Sequence, residues 1–152
     1  MKARMQPNRA DGFTLIELMI TVVVATILLA IAIPSYRSEI LSSRRTDAKT
    51  ALLDLAAREQ RYYSLQNSFT TSFVNLGYAT AATSSVTVGS GYYTVSITTT
   101  NVAGSPPTFL ITATATGSQT ADTACQTYTV DNTGLQKAYN SSSGDNTTTC
   151  WQ

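Results

Sequence analysis

The chain has 152 residues, of which 12% are charged, with a net charge of +1 and no histidine. A chain of this length forms one domain with a modest core, and its low charge argues against a nucleic-acid binder driven by bulk electrostatics. Because histidine is the commonest general base and metal ligand, we expect no enzyme, no metal site and no cofactor.

The chain begins with a short basic segment that precedes a long apolar run. Residues 1–12 (MKARMQPNRADG) are polar, and residues 13–33 (FTLIELMITVVVATILLAIAI) contain one charged side chain, Glu17. As a helix this run is about 31 Å long, close to the bilayer hydrocarbon core of about 30 Å. The basic leader keeps the N-terminus in the cytoplasm by the positive-inside rule. We therefore predict one membrane-spanning helix over residues 13–34, with residues 35–152 outside as a globular domain.

Pro34 closes the apolar run. A proline lacks the backbone N–H and clashes with the preceding turn, so we expect a kink or a locally loosened helix there. Apolar positions at helical spacing then predict an amphipathic helix over residues 35–64, with Asp54 and Arg58 placed to pair across one turn. The predicted inner face consists of Tyr36, Ile40, Ala48, Leu52, Leu55, Glu59 and Tyr62.

The pattern changes after a predicted loop over residues 65–84. Apolar and polar residues then alternate, which is typical of half-buried strands, so we predict an antiparallel sheet within residues 85–140. Its apolar face would pack on the amphipathic helix, giving an α+β fold. The predicted strands are Tyr92–Thr99, Thr108–Thr116, Thr127–Val130 and a weaker one at Leu135–Tyr139.

Two cysteines, Cys125 and Cys150, lie in the polar C-terminal part of the chain. They lack the CxxC spacing of a redox or zinc site, and a structural disulfide bounding residues 125–150 is favoured over two free thiols. Asp131, Asp145 and Asn146 are too sparse to indicate a calcium site.

The segment Gly12–Leu18 (GFTLIEL), with its basic leader and the later Pro34, closely resembles the class III signal of type IV prepilins of the type IVa kind. The segments Glu59–Tyr63 (EQRYY) and Asn67–Phe69 (NSF) resemble the helix end of pilins. The resemblance implies the pilin fold, a long N-terminal helix packed against a small antiparallel sheet. It also implies a structural subunit, major or minor, of a surface filament used for twitching motility, adhesion or DNA uptake.

The resemblance assigns roles to the N-terminal residues. It implies that a prepilin peptidase cuts between Gly12 and Phe13 and N-methylates the new Phe13 amine. A carboxylate inside a membrane costs about 2.5–3.5 kcal/mol, so Glu17 needs a partner, and the Phe13 amine of a neighbouring subunit would supply it. In filaments of this family the helix loosens before the proline, here from about Thr26 to Pro34.

The same resemblance names the partners and the location. The partners would be other pilin subunits, the prepilin peptidase and an inner-membrane assembly platform. The chain would lie in the inner membrane first and in an extracellular pilus afterwards. Cys125 and Cys150 resemble the pair that delimits the D-region of pilins, and the enclosed residues 139–149 are either an adhesive surface for a host or only a solvated loop.

Two related functions remain as alternatives. A type II secretion pseudopilin shares the signal but usually lacks the C-terminal cysteine pair. A minor pilin that acts as a DNA-uptake receptor needs exposed basic residues, yet only Lys137 follows Arg61. Aromatic side chains could instead stack on single-stranded bases, although most are expected in the core. These aromatic candidates are Tyr92, Tyr93, Tyr128, Tyr139 and Trp151.

Overall fold

A computed structural model describes residues 12–152 of the chain. The chain divides into two compact units between Arg37 and Ser38, and the second unit, Ser38–Gln152, contains the sheet. The helices are α1 (Leu15–Gln66) and α2 (Thr147–Cys150), and the strands are β1 (Ser85–Val88), β2 (Tyr93–Thr100), β3 (Thr108–Ala115), β4 (Thr127–Asp131) and β5 (Gln136–Tyr139). Two short 3-10 turns cover Gly89–Gly91 and Gly117–Ala121. The predicted leader, residues 1–12, lies outside the described residues except for Gly12.

The start of α1 is fixed by a threonine. The Thr14 hydroxyl accepts a hydrogen bond from the Glu17 N–H at 3.3 Å, and the Thr14 carbonyl accepts one from Leu18 at 3.2 Å. A threonine in this position satisfies one of the N–H groups that a helix leaves unpaired at its beginning, and a glutamate three residues later matches the capping-box pattern. The TLIE sequence therefore starts the helix as well as contributing to the signal motif.

Helix α1 includes Pro34 and runs to Gln66 as one α-helix. A kink or a local loosening is compatible with such a continuous helix, so the predicted deformation at Pro34 stays a prediction. The end of the helix agrees with the predicted limit near residue 64. Asn67 follows with a φ of 51° and donates its N–H to the Tyr63 carbonyl at 2.8 Å, a left-handed cap.

The sheet is antiparallel throughout, in the order β1-β2-β3-β4-β5. The predicted alternation in β2 and β3 is confirmed. One face of the two strands is buried, with Tyr93, Val95, Ile97, Phe109, Ile111, Ala113 and Ala115 pointing into the core. The predicted α+β class is therefore confirmed.

One strand was not predicted individually. The expected sheet range, 85–140, begins at the right residue, but β1 (Ser85–Val88) was not assigned as a strand. β1 is a four-residue edge strand with no fully buried residue, so its sequence carries little alternation. The other predicted strands match β2 to β5 within about one residue.

The core of the second unit lies between α1 and the sheet. The helix contributes Ala48, Leu52 and Leu55, which are fully buried as predicted. Tyr36, placed on the same face by its spacing, is instead 69% exposed, and that part of the prediction is wrong. Residues 67–84, predicted as a loop, lack helix and strand but add three buried side chains, Phe69, Phe73 and Leu76.

Candidate functional site

The N-terminal half of α1 is uncovered. Every residue from Gly12 to Glu39 is exposed, including the whole apolar run. The most apolar stretch has a mean hydropathy of 2.7 with none of it buried, so by length and composition this helix can cross a membrane. A helix that is apolar on all sides requires an apolar environment on all sides. That environment is supplied either by lipid or by other protein.

The predicted processing and assembly residues lie at the beginning of this helix. Gly12 has open space where a side chain would be, with nothing within 4 Å, and Phe13 is 84% exposed. Glu17 is also exposed, and among residues 12–152 its carboxylate forms no ion pair. The single chain thus leaves all three positions accessible to a partner.

The disulfide closes the C-terminal region. Cys125 and Cys150 are joined across a sequence separation of 25, and both are buried. The Asn146 side chain donates to the Ala124 carbonyl at 3.0 Å, and the Trp151 indole donates to the Lys137 carbonyl at 2.9 Å. These bonds attach the end of the chain to β5 and to the segment before β4.

Two Asn-x-Ser/Thr sequons occur in this region, and both amides have internal partners. The Asn140 side-chain oxygen accepts the N–H groups of Ser142 at 2.9 Å and Gly144 at 2.8 Å, and Asn146 donates to Ala124 as described. A Cβ at Gly144 would lie 2.9 Å from the Asn140 Nδ2 atom. The Asn140 side-chain oxygen therefore orders this turn.

A buried polar network joins α1 to the segment before the first cysteine. Arg45 forms two hydrogen bonds with the Asp122 carboxylate, at 2.7 and 2.9 Å, and the Asp122 side chain is only 4% exposed. The hydrogen bond to Asp122 raises the pKa of Arg45 against the opposing effect of burial. Gln119 donates to the Leu41 carbonyl and to the Tyr93 hydroxyl, both at 3.0 Å. The network holds this part of the helix on residues 119–122, just before the disulfide-bounded region.

The basic residues of the second unit are mostly engaged. The Arg44 guanidinium lies 3.6 Å from the centre of the Tyr92 ring and donates to Ser118. Arg58 pairs with Asp54 at 2.9 Å, as predicted. Arg61 is exposed and, within residues 12–152, forms no ion pair.

Of the five aromatic candidates for base stacking, two are excluded by burial. Tyr93 and Tyr128 are fully buried and pack edge-to-face, with ring centroids 6.0 Å apart. Burial raises the pKa of Tyr93 to about 12, so its hydroxyl stays protonated. The other three are half-buried, namely Tyr92, Tyr139 and Trp151.

The three polar residues considered for calcium serve the backbone instead. Within residues 12–152 no group of three or more acidic, histidine or cysteine side chains could hold a metal ion. The Asp131 carboxylate accepts hydrogen bonds from Thr133 and Leu135, and Asp145 accepts one from Thr147. Slight burial raises the pKa of Asp131, but the hydrogen bonds from Thr133 and Leu135 outweigh it and lower the pKa below its ordinary value.

The uncovered apolar helix, the antiparallel sheet packed on residues 48–59 of α1 and the C-terminal disulfide define a type IV pilin. Residues 34–129 match the family described as type IV minor pilin ComP, DNA uptake sequence receptor, and residues 7–33 match the prokaryotic N-terminal methylation motif. The first match covers more than half of the chain, and the chain belongs to this ComP pilin family.

Two curated relatives are major pilins. The chain is 38% identical over 71 residues to the type IV major pilin protein PilA of Myxococcus xanthus (strain DK1622), covering 47% of this chain and 32% of the relative. It is 39% identical over 84 residues to the type IV major alpha-pilin of Moraxella bovis, covering 51% of this chain and 52% of the relative. The chain thus spans about a third and about half of their lengths.

Membership in a pilin family settles two of the expectations from sequence. Pilins are structural proteins, so the chain is not an enzyme. The matched family and the two curated relatives are type IV pilins, so the pilin interpretation is confirmed. The buried network of Arg45, Asp122 and Gln119 was missed from sequence, because the partners are more than 70 residues apart.

Proposed function

We propose that the chain is a subunit of a type IV pilus, held in the membrane by its apolar helix before assembly and packed by the same helix inside the filament. The observation that carries this proposal is the exposure of every residue from Gly12 to Glu39. An apolar surface of this size is not stable in water, so lipid and then neighbouring subunits must cover it. The helix spans the inner membrane once, with the leader in the cytoplasm, and the assembled pilus is extracellular.

The first step is cleavage between Gly12 and Phe13 by a prepilin peptidase, followed by N-methylation of Phe13. A side chain introduced at position 12 would meet nothing within 4 Å, so a larger residue than Gly12 would not disturb folding. Any effect of substitution would therefore report recognition by the peptidase. We expect Gly12→Val to block cleavage and Gly12→Ala to have a smaller effect.

The processing test is an immunoblot for the loss of the leader in the native host, with both Gly12 variants beside the wild type. Retention of the leader in Gly12→Val, with normal processing of the wild type, supports the cleavage site. Normal processing of Gly12→Val would contradict it.

The second step is insertion into the filament through Glu17. After cleavage the Phe13 amine is cationic, and in an apolar filament core a carboxylate from a neighbouring subunit would pair with it strongly. Glu17 lies near the membrane-embedded end of the helix and forms no ion pair within residues 12–152, so it is available for this partner. The remaining partners are the inner-membrane assembly platform and other pilin subunits.

The assembly test compares Glu17→Gln with Glu39→Gln, an exposed glutamate outside the apolar run. We expect Glu17→Gln to be processed but absent from sheared filaments, because the amide cannot neutralise the amine. Glu39→Gln is expected to enter filaments at the wild-type level. Normal incorporation of Glu17→Gln would refute the pairing.

The family description supports a second function, recognition of DNA during uptake. Electrostatic contact with phosphates needs exposed basic side chains. Arg61 is the residue of the second unit that best meets this need, since it is exposed and lines an open groove together with Tyr62 and Leu65. A cation beside an aromatic ring suits contact with both the phosphate backbone and a base.

The DNA test measures binding of the full-length protein in detergent to duplex DNA at several salt concentrations. We expect Arg61→Ala to weaken binding and to lower the slope of log K against log salt by about 1, as one phosphate contact is lost. The neighbouring exposed Gln60→Ala is the control and should leave the slope unchanged. An unchanged slope in Arg61→Ala would exclude this contact.

A further inference from the structure

Two consecutive residues of α1 hold opposite ends of the 70–77 segment. The Arg58 Nη1 atom donates to the Leu76 and Gly77 carbonyls, each at 3.0 Å, while its Nε atom pairs with Asp54. Glu59 accepts the Thr70 N–H on its Oε2 atom at 3.2 Å. The C-terminal end of the segment is thus bound by a donor and the N-terminal end by an acceptor.

The Glu59 side chain is in an unfavourable environment for a charge. It is 0% exposed, and its Oε1 atom is buried without a hydrogen-bond partner among residues 12–152. A buried polar atom without a partner costs free energy, and a buried charge costs more. Burial therefore favours the neutral form of Glu59 while the segment is closed. Contact with water stabilises the ionised form once the segment opens.

No charged neighbour compensates for this burial. The 70–77 segment (TTSFVNLG) contains no ionisable side chain. The ionisable side chains of α1 within four residues of Glu59 are Arg58, Arg61, Tyr62 and Tyr63; Tyr78 follows the segment, and Asp131 ends β4. Burial raises the pKa of Glu59 to about 7, the Thr70 N–H opposes this rise, and within residues 12–152 no charge enters the balance.

The residue before the segment is held independently of Glu59. The Asn101 side chain accepts the Phe69 N–H at 3.3 Å and donates to the Phe69 carbonyl at 2.9 Å. The Phe69 ring also stacks on Tyr63 and meets Phe109 edge-to-face, both at 4.8 Å between centroids. The Phe73 ring, 1% exposed, holds the middle of the segment in the core. Release of Glu59 would therefore free residues 70–72 without detaching Phe69 or Phe73.

We propose that Glu59 is a proton-controlled latch, which holds the 70–77 segment closed on α1 when protonated and lets its Thr70 end open to water when ionised. This inference goes beyond the filament and DNA roles and does not depend on either. The two hydrogen bonds from Arg58 keep the Leu76–Gly77 end attached as a hinge while the Thr70 end opens.

The hinge end of the segment forms one wall of the groove that contains Arg61. Arg61, Tyr62 and Leu65 on α1 lie on one side, and Asn75, Leu76 and Gly77 lie on the other, around a cavity of about 610 Å³. Because Arg58 keeps Leu76 and Gly77 attached, the groove keeps this wall when the Thr70 end opens.

The direction of the pH effect follows from the two protonation states. The closed form binds a proton up to about pH 7, whereas an open form with hydrated Glu59 loses it near the ordinary value of 4.5. Between these values the open form binds fewer protons, so opening rises with pH by about tenfold per unit and levels off above about 7. The segment is most firmly closed in acid.

Hydrogen exchange on the full-length protein in detergent tests the latch. The amides of residues 70–72 are followed by mass spectrometry between pH 5 and 8, and the rates are corrected for the intrinsic pH dependence of exchange. We expect protection factors at these residues to fall about tenfold per pH unit up to about pH 7 in the wild type and to stay constant in Glu59→Gln. The control Glu39→Gln should behave like the wild type.

Low concentrations of urea separate local opening from global unfolding, because only global unfolding exposes a large surface. Exchange of the segment that depends on pH but not on urea supports the latch. The same pH dependence in Glu59→Gln would overturn it. Segment amides that follow the urea dependence of β3 in the wild type would also overturn it, and this comparison needs no variant.

Discussion

The apolar residues before Pro34 and those after Ser38 differ in what covers them. Leu28 is 62% exposed and Leu52 is 0% exposed, although both are leucines of α1. Beyond Ser38 the apolar positions recur at helical or strand spacing and are matched by a sheet, whereas residues 13–33 are apolar on all sides. Hydropathy alone therefore does not distinguish a self-contained core from a surface that needs a partner. The distribution of apolar residues around the helix axis does distinguish them.

The sharpest test of this comparison is a matched pair of leucine substitutions in the detergent-solubilised full-length protein. We expect Leu52→Ala to lower the free energy of unfolding by about 2–5 kcal/mol, because it leaves a cavity in the core. Leu28→Ala should leave the same quantity nearly unchanged, since the side chain is 62% exposed in the single chain and leaves no cavity. Urea titration followed by the fluorescence of Trp151 measures both, and equal losses would contradict the comparison.

Removal of the disulfide should have the next largest effect. Replacing Cys125 and Cys150 by serine frees a loop with a sequence separation of 25, and we expect a loss of about 3–4 kcal/mol. Trp151 packs on Tyr128 and follows Cys150 directly, so its emission should shift to longer wavelength as the C-terminal end loosens. Retained stability with unshifted emission would show that the network of Arg45 and Asp122 suffices without the disulfide.

The pH dependence of global stability should follow the sign set by Glu59. Its pKa is raised from 4.5 to about 7 in the folded protein, so the folded state binds more protons than the unfolded state in this window. The free energy of unfolding should fall by up to about 3 kcal/mol as the pH rises from 4.5 to 7, and stay level above it. Thermal unfolding of the wild type and of Glu59→Gln measures this pH dependence. A free energy of unfolding that rises between pH 4.5 and 7 in the wild type would contradict the role of Glu59.

The smallest expected effect separates a buried ion pair from an exposed one. Arg45→Ala leaves the Asp122 carboxylate, 4% exposed, without its partner, and we expect a loss of about 1–3 kcal/mol. The exposed pair of Asp54 and Arg58 is the control, and Asp54→Ala should cost less than about 1 kcal/mol. Chemical denaturation measures the loss of unfolding free energy in both variants. An equal loss, or a larger loss in Asp54→Ala, would show that the buried network does not stabilise the fold.

The fold was largely predictable because periodicity carries its main features. Alternation in residues 93–99 and 109–115 predicted the buried face of β2 and β3, and helical spacing placed Glu59 on the inner face of α1. The short strand β1 was not predicted, because an edge strand without a fully buried residue shows no periodic pattern in the sequence.

The site was predictable only where local sequence determines it. Gly12, Phe13 and Glu17 belong to a contiguous motif, so their roles could be predicted without a structure. The Arg45–Asp122 pair and the Glu59–Thr70 contact depend on how separate segments pack together, and no spacing in the sequence predicts them. These contacts could be identified only in the three-dimensional structure, and so could the internal hydrogen bonds of Asn140.

The central claim, that neighbouring subunits replace lipid around residues 13–33, is tested most directly by thiol labelling in sheared filaments. Val24→Cys lies in the middle of the exposed apolar run, and Thr114→Cys lies on the exposed face of β3 and serves as the control. We predict that a water-soluble maleimide labels position 114 but not position 24 in intact filaments, and labels both once the subunits are unfolded in guanidinium. Labelling of position 24 in intact filaments to the same extent as in the unfolded subunits would contradict the account.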